Sequence, residues 1–362
     1  MTNSNAFRVA VLAGDGIGTE VMGPTQAVLD AAAKRVGGFA LSYDAFPGGA
    51  LHYRDTGTAL PDESFTGAEK ADAVLFGAMG WPEIRYPDGT EIAPQLDLRF
   101  NFELYAGVRP IKLFPGAPTP LKDPRAADID FVLVRESTEG LFSTRGTAKV
   151  EDDRVARDVM EITRPTCEKL FDFTFRLGES RKAAGRPGQV TCIDKANVLT
   201  SMAFFRKVFD ERAAAFPDLE ARHHYVDAAA LDLVRRPWDF DVMVTENMFG
   251  DILSDLAAAL VGGMGMAPSA DIGDKHAVFQ PSHGSAPDIA GQGKANPLAT
   301  ILSGAMMLTW LGERHGVTSC GEAARLIETA VEKLFADGAA LPYDLGGGDG
   351  TKAITDAVLA RL

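Results

Sequence analysis

The strongest constraint on the fold is the alternation of two kinds of segment along the chain. Short apolar runs, RVAVLAG (8–14), ADAVLFGAMG (71–80), FVLVRES (131–137), QVTCID (189–194) and DVMVTEN (241–247), are separated by longer amphipathic stretches. One such stretch reaches about Val36, a second is NVLTSMAFFRKVFDERAAAF, and a third runs from Phe249 to about Val261. Runs this short and β-branched read as buried strands, and the longer stretches as helices packed on them. Strands alternating with helices predict parallel pairing in an α/β fold. GLFSTRGTAKVEDDRVARD is charged and poor in apolar residues, and reads as an exposed arm or hairpin near 142–158. A length of 362 residues is enough for two ordinary domains, and no repeat or low-complexity linker divides it.

Charge narrows the partners. The 36 Lys and Arg against 50 Asp and Glu leave a net charge of −14. Such a surface repels phosphate backbones and anionic headgroups, so neither nucleic acid nor a membrane is expected as a partner. An anionic substrate would need a local basic pocket. The apolar stretch Val9–Ala13 is too short for a signal-peptide core, and Ile252–Pro268 is broken by Asp255 and by glycines. A cytoplasmic protein is expected. Cys167, Cys192 and Cys320 are far apart and form no CxxC pair, which predicts reduced, buried thiols.

Several segments carry potential chemistry. In TENMFGDILSDLAAAL, Asp251 and Asp255 are four apart, hence on one helix face with β-carbons roughly 5–6 Å apart. Two carboxylates so placed suit a hard divalent cation; a solvated acidic face is the competing reading. Arg99, Arg109 and Arg135 sit near element boundaries, and three converging forks would grip a dicarboxylic acid. Spacing does not show convergence, so unrelated surface arginines remain the alternative. Lys195 lies just past a strand end, where α/β sites are built, as a proton-transfer candidate or an ordinary turn lysine. PSHGSAPDIAGQGKANP (281–297) can present backbone N–H groups to phosphates or simply connect two elements. His223 and His224 are adjacent in a strand-like segment and so point to opposite faces, which disfavours a shared metal. GDGIG (14–18) is not GxGxxG and has no acidic partner after a second strand, so it reads as a tight turn and not a Rossmann fingerprint.

Taken together the segments resemble the NAD(P)-dependent β-decarboxylating dehydrogenases, which act on isocitrate, 3-isopropylmalate, homoisocitrate, tartrate and D-malate. The resemblance runs nearly end to end. It rests on GDGIGTE (14–20), LRFNFELYAGVRP (98–110), RESTEG (135–140), DKANVL (194–199), YVDAAALDLV (225–234), ENMFGDILSDLAA (246–258), HGSAPDIAGQGKANP (283–297) and LGGGDGTKA (345–353). The wording of HGSAPDIAG is nearest to the 3-isopropylmalate members. The resemblance implies a two-domain α/β fold with a central mixed sheet flanked by helices, distinct from a Rossmann fold. It implies a discontinuous cofactor-side domain (1–104 plus 262–362) and a metal and dimerisation domain (105–261). It further implies a homodimer with shared active sites, in which Lys195 and Asp227 come from the neighbouring subunit.

Carried over position by position, Arg99, Arg109 and Arg135 would hold the substrate carboxylates, with Gln95 and Leu96 facing the C3 substituent. Asp227, Asp251 and Asp255 would hold Mg²⁺ or Mn²⁺, and Lys195 with Asp227 would handle the hydroxyl proton. His283, Gly284, Ser285, Ala286, Asp288, Ile289 and Asn296 would bind the cofactor. Asp288 followed by Ile289 matches the NAD-type pair, because a carboxylate there binds ribose hydroxyls and repels a 2′-phosphate.

The chain departs from the family pattern in three places. Phe142 stands where members usually carry the tyrosine that protonates the enol; Ser143, Thr144 or a water substitutes, or the enzyme is slow, or its reaction does not end in that protonation. Gln95 makes the specificity positions half polar, and Gln280 and Ser282 replace the commoner Glu and Val. The expected activity is NAD- and metal-dependent oxidative decarboxylation of a 3-substituted (2R)-malate, with 3-isopropylmalate first. Tartrate, D-malate or another substituted malate, and a non-catalytic regulatory subunit, are the alternatives.

Overall fold

A computed structural model describes residues 5–144 and 146–362; residues 1–4 and Arg145, the latter within the expected arm, lie outside the described residues. The strands are β1 (Asn5–Gly14), β2 (Phe39–Ala45), β3 (Ala73–Ala78), β4 (Ala106–Lys112), β5 (Asp130–Glu136), β6 (Lys149–Glu151), β7 (Val155–Arg157), β8 (Gln189–Asp194), β9 (Glu220–Tyr225), β10 (Val242–Thr245), β11 (Pro268–Ile272) and β12 (Ala277–Pro281). The helices are α1 (Ile17–Val36), α2 (Ala50–Thr56), α3 (Asp62–Lys70), α4 (Pro94–Asn101), α5 (Arg164–Ala183), α6 (Thr200–Ala213), α7 (Val226–Arg235), α8 (Asn247–Leu260), α9 (Leu298–His315), α10 (Thr318–Ala336) and α11 (Thr351–Leu359).

Ten strands form one mixed sheet in the order β2-β1-β3-β12-β11-β4-β5-β10-β8-β9. The expectation of parallel pairing holds at both ends and fails in the middle. There β11 runs antiparallel to both β12 and β4, and β4 antiparallel to β5. The reason lies in the connections. A four-residue link joins β11 to β12, and no α-helix lies between β4 and β5, so neither pair has the helical crossover that parallel strands need.

Alternation along the strands feeds two layers. Val9 and Val11 of β1, Val132 and Val134 of β5, and Val242 and Val244 of β10 enter one large core packed under α1, α5, α6, α9 and α10. The intervening Ala10 and Leu12 pack on the other face with Leu98 of α4, while Phe131, Leu133 and Met243 pack there with Leu253 and Ala257 of α8. With both faces covered, the strands read as continuous apolar runs. β6 and β7 form a separate exposed hairpin, whose two turn residues Asp152 and Asp153 have φ of 50° and 53°. That left-handed pair suits the right-handed twist of a tight hairpin. The three cysteines are unpaired and buried. Among the described residues no helix is long and apolar enough to cross a membrane.

The GDGIG turn has a structural task. Asp15, 1% exposed, accepts hydrogen bonds from the backbone N–H groups of Ala50 (2.7 Å), Leu51 (2.9 Å) and Gly80 (2.9 Å). It therefore caps α2 and holds the end of β3. At Gly16 (φ 54°) a Cβ would come within 2.1 Å of the Ser285 carbonyl oxygen, so glycine is required where this turn meets the 282–297 loop.

Candidate active site

Arg109 and Arg135 project from one face of the sheet. In the β4–β5 ladder Gly107 lies opposite Arg135, and Arg109 is two residues from Gly107, so the two arginines share a face. Helix α8 packs on that face and approaches β5 closely at Gly250, where a Cβ would lie 2.6 Å from Arg135 Cγ. Asp251 and Asp255, one turn apart on α8, therefore meet the arginines. Arg99 enters from the last turn of α4. All three arginines are buried, at 7%, 5% and 4% exposure, and line one cleft of about 450 Å³ with Asp251 and Asp255.

Their partners fix their geometry. Arg135 donates through Nε and one terminal nitrogen to Asn247 Oδ1 (2.9 and 2.8 Å) and through the other to the Asp251 carboxylate. Its guanidinium carbon is 5.4 Å from the centroid of the Phe142 ring, a cation–π contact. Burial first, and then the neighbouring Arg99 charge, lower the Arg135 pKa to about 10. Burial, then the charge on Asp251, raises the Asp255 carboxyl above the usual carboxylate range. Beneath Arg99 and Arg109 lies Asp271 of β11, which accepts from Arg99 Nε at 2.9 Å and from Gln280 Nε2 at 2.6 Å. Burial would raise this carboxyl, but the arginines outweigh it and hold it below its ordinary value.

Met79, Ala93, Gln95 and Leu96 also line the cleft, as do Gln280, Ser282, His283 and Gly284. Three buried polar atoms here have no partner within the protein: Gln95 Oε1, Ser282 Oγ and His283 Nε2. Buried polar atoms are rarely left so, and their gathering in one cleft marks a place for a polar ligand. Burial lowers the His283 pKa below its ordinary value, which keeps the ring neutral at neutral pH. Beyond Gly284 the loop turns away from this cleft. Ser285 is buried and donates to the Gly80 carbonyl, Ala286 adopts φ of 38°, and Asp288 is exposed. Ala286 and Ile289 pack on Ile17, Val21 and Ala295. Asn296 is engaged structurally, accepting from Leu298 N and donating to Asp344 Oδ2 at 3.3 Å. Glu20 of α1 ties the loop down by accepting from Gly291 N, Ala295 N and the Thr351 hydroxyl.

Lys195 and Asp227 are absent from the lining of this cleft. They are hydrogen-bonded to each other, Lys195 just past β8 and Asp227 in the first turn of α7, and that bond holds the Asp227 carboxyl below its ordinary pKa. Ser143 donates to the Gly140 carbonyl and Thr144 to those of Leu141 and Val159, and neither lines the cleft. The expectation that one of them stands in for the missing tyrosine is therefore corrected: local backbone carbonyls capture both hydroxyls. His223 and His224 pair with different carboxylates, Asp210 at 2.6 Å and Asp232 at 3.0 Å.

The sequence profile of the isocitrate/isopropylmalate dehydrogenase family matches residues 8–358. The chain belongs to that family. It is therefore an oxidoreductase of the β-decarboxylating dehydrogenase type. It is 42% identical over 356 residues to a 3-isopropylmalate/3-methylmalate dehydrogenase of Methanocaldococcus jannaschii, covering 98% of each chain. It is 42% identical over 342 residues to a 3-isopropylmalate dehydrogenase of Moorella thermoacetica, covering 93% of this chain and 92% of the relative. A solved isocitrate dehydrogenase of Methylococcus capsulatus superposes with a TM-score of 0.84 at 34% identity, over 98% of this chain and 99% of that one.

The cleft can be tested against the groups this family implies. Asp251 and Asp255 supply two oxygen donors on one face, and the Asp255 carboxyl is raised by burial first and by the Asp251 charge second. Among the described residues no three His, Cys, Asp or Glu gather as a metal site, so this chain alone offers part of a donor set. The unpartnered Ser282 and His283 atoms and the exposed Asp288 fit a nucleotide lying along the loop. Sequence reasoning missed Asp271, Asn247, Asp15 and Glu20. Asp271 was the most visible: an acid in the apolar strand PSADI, where only a buried cation makes it tolerable.

Proposed function

We propose that this enzyme catalyses NAD-dependent, divalent-metal-dependent oxidative decarboxylation of a 3-substituted (2R)-malate, with 3-isopropylmalate first. The observation that carries the reading is the convergence of Arg99, Arg109 and Arg135 with Asp251 and Asp255 on one cleft whose lining also includes the apolar Met79, Ala93 and Leu96. Arginine forks suit the two carboxylates, and the apolar lining suits a hydrocarbon substituent.

In this reading the arginines bind and orient the malate. Asp251 and Asp255, with Asp227 of the partner subunit, would hold Mg²⁺ or Mn²⁺. A divalent cation there acidifies the substrate hydroxyl and offsets the negative charge that develops as CO₂ leaves. NAD would be the hydride acceptor, and Lys195 of the partner subunit, through Asp227 or a water, would take the hydroxyl proton. Its ammonium then lies close to the developing enolate charge. Neutral His283 and Ser282 would help hold the cofactor, and Asp288 would bind its adenosine ribose hydroxyls.

The same reading makes the enzyme a homodimer and divides it into 1–104 plus 262–362 and 105–261. Three apolar side chains of the second part support a covered surface: Leu231 and Val234 of α7 and Ile252 of α8 are 54%, 49% and 60% exposed. The cleft gains its lysine and third carboxylate only when a second copy brings Lys195 and Asp227.

A smaller or more polar C3 substituent, as in tartrate or 3-methylmalate, is the second reading, favoured by the unpartnered Gln95 Oε1. NADH formation by purified protein with NAD and Mn²⁺ across 3-isopropylmalate, 3-methylmalate, isocitrate, homoisocitrate, tartrate and D-malate separates the two. Preference for 3-isopropylmalate supports the first, preference for tartrate or 3-methylmalate the second, and silence on every acid overturns both.

A further inference from the structure

Lys195 and Asp227 stand past the ends of two neighbouring strands. β8 leads to Lys195 and β9 to Asp227, and in the parallel β8–β9 ladder Asp194 lies opposite Tyr225. Little apolar packing holds that ladder. β9 is the edge strand, and of its six residues only His224 is not exposed. Burial specifies the register of such a strand weakly. Helix α6 supplies what burial does not. Arg206 and Asp210 are four apart on one face of α6, and His223 and Tyr225 are two apart on one face of β9. The two faces meet: Asp210 pairs with His223 at 2.6 Å, and the Arg206 guanidinium carbon lies 5.1 Å from the centroid of the Tyr225 ring.

Arg206 also grips the other strand end. Its Nε and a terminal nitrogen each donate to Asp194 at 2.7 Å, a fork on a carboxylate that is 0% exposed. A charge so enclosed needs its cation. Asp194 Oδ1 in turn accepts from Ala196 N at 2.8 Å, and the Lys195 carbonyl accepts from Val198 N and Leu199 N, both at 3.0 Å. The turn that carries Lys195 is thus folded onto the carboxylate that Arg206 holds. Tyr225, against which Arg206 lies, directly precedes α7, whose second residue is Asp227. One guanidinium spans both supports.

Resting on the reading that Lys195 and Asp227 serve the cleft of a second copy, we infer that Arg206 is a positioning residue: it locks the ends of β8 and β9 together, so that Lys195 and Asp227 enter the neighbouring site as one preset pair. The lysine and the third carboxylate for the metal are then placed by the same contact, and loosening it weakens both.

The test uses Arg206→Lys, which keeps a cation against Asp194 but loses the fork and the flat face. Mn²⁺ binding, titrated with 3-isopropylmalate and no NAD, is expected to weaken by about 10–100-fold. Turnover is expected to fall by a similar factor, with NAD affinity unchanged. A merely structural role would lower Tm and the number of active sites and leave Mn²⁺ affinity per site alone. Asp194→Asn/Arg206→Met leaves no buried charge unpaired and is expected to show the same loss, so a poorly folding Arg206→Lys does not end the test. Wild-type Mn²⁺ affinity in either folded variant overturns the inference. Refolded together with Arg109→Ala, the double variant is expected to regain about a quarter of the wild-type sites; with Lys195→Ala it is expected to regain none, because both lesions fall on the same side of a shared site. Recovery with Lys195→Ala overturns the inference. Weakened Mn²⁺ binding without recovery against Arg109→Ala would sink the shared site and leave positioning by Arg206 standing, as would weakened binding in a protein that oxidises no substituted malate. No Mn²⁺ binding by wild type overturns both.

Discussion

Arg135 donates to the carboxylate of Asp251, one turn along α8 from Asp255, so a substrate-side cation already holds one of the two metal-side anions. Among the described residues Asp255 has no such partner, and its carboxyl is raised by burial and by Asp251. A carboxyl with a raised folded-state pKa contributes stability at low pH that is lost as pH rises through that value. At neutral pH Asp255 thus works against the metal-free protein. Asp255→Asn is expected to raise the metal-free Tm by about 1–2 °C and to lower Mn²⁺ affinity by about 10–100-fold. Thermal melts with and without Mn²⁺ measure both; a lower Tm without metal would contradict the account.

Phe142 supplies a ring to Arg135 and no proton to the product, and the nearby Ser143 and Thr144 hydroxyls are committed to backbone carbonyls. Phe142→Tyr keeps the ring and adds an acid. Turnover is expected to rise, up to about 10²-fold where protonation limits the rate. Steady-state kinetics in H₂O and D₂O, with a solvent isotope effect that falls in the variant, checks this.

Glu136, enclosed at the end of β5, has its carboxyl raised from the ordinary 4.5 to about 7, with burial outweighing the hydrogen bonds from Thr138 and Glu139. Its stabilising contribution is complete below 4.5 and is lost as pH rises toward 7. Glu136→Gln lacks that titration. Urea unfolding is expected to show wild type losing stability relative to the variant across this interval, and parallel curves would refute the assignment.

Asp15 satisfies three backbone N–H groups from α2 and the end of β3. Asp15→Ala strands buried donors and is expected to cost about 2–4 kcal/mol in chemical denaturation. NAD affinity is expected to fall with it, because Gly80, which Asp15 holds, accepts from Ser285 in the loop.

If Lys195 serves a neighbour's cleft, Lys195→Ala and Arg109→Ala are each inactive alone and complement when mixed. Random re-association of equal amounts is expected to restore about a quarter of the wild-type sites, one complete site in each mixed dimer. No recovery after unfolding and refolding the mixture together would exclude shared sites.

Much of the fold and the site was legible because it is local. The apolar runs from 8, 131, 189 and 241 became β1, β5, β8 and β10, and the four-residue spacing of Asp251 and Asp255 put both on one face of α8. What escaped was pairwise and distant. Asp271 lies 172 residues from Arg99 in sequence, and nothing at either position announces the other. The antiparallel middle of the sheet escaped for a similar reason, since Ala270 of β11 finds Val108 of β4 across 162 residues. The Ser143 and Thr144 hydroxyls failed as proton donors because short polar side chains in turns bond to nearby carbonyls first.

The strand order also bears on how the polypeptide emerges from the ribosome. β3 and β4 follow one another in synthesis, yet in the finished sheet β12 and β11 stand between them. Until residues 268–281 have been translated, both strands carry bare ladder edges at the heart of the molecule. The nascent chain must keep these edges from foreign partners while nearly three-quarters of it is already made. Chaperone dependence during translation would then arise at the centre of the sheet, where the mature protein is best protected.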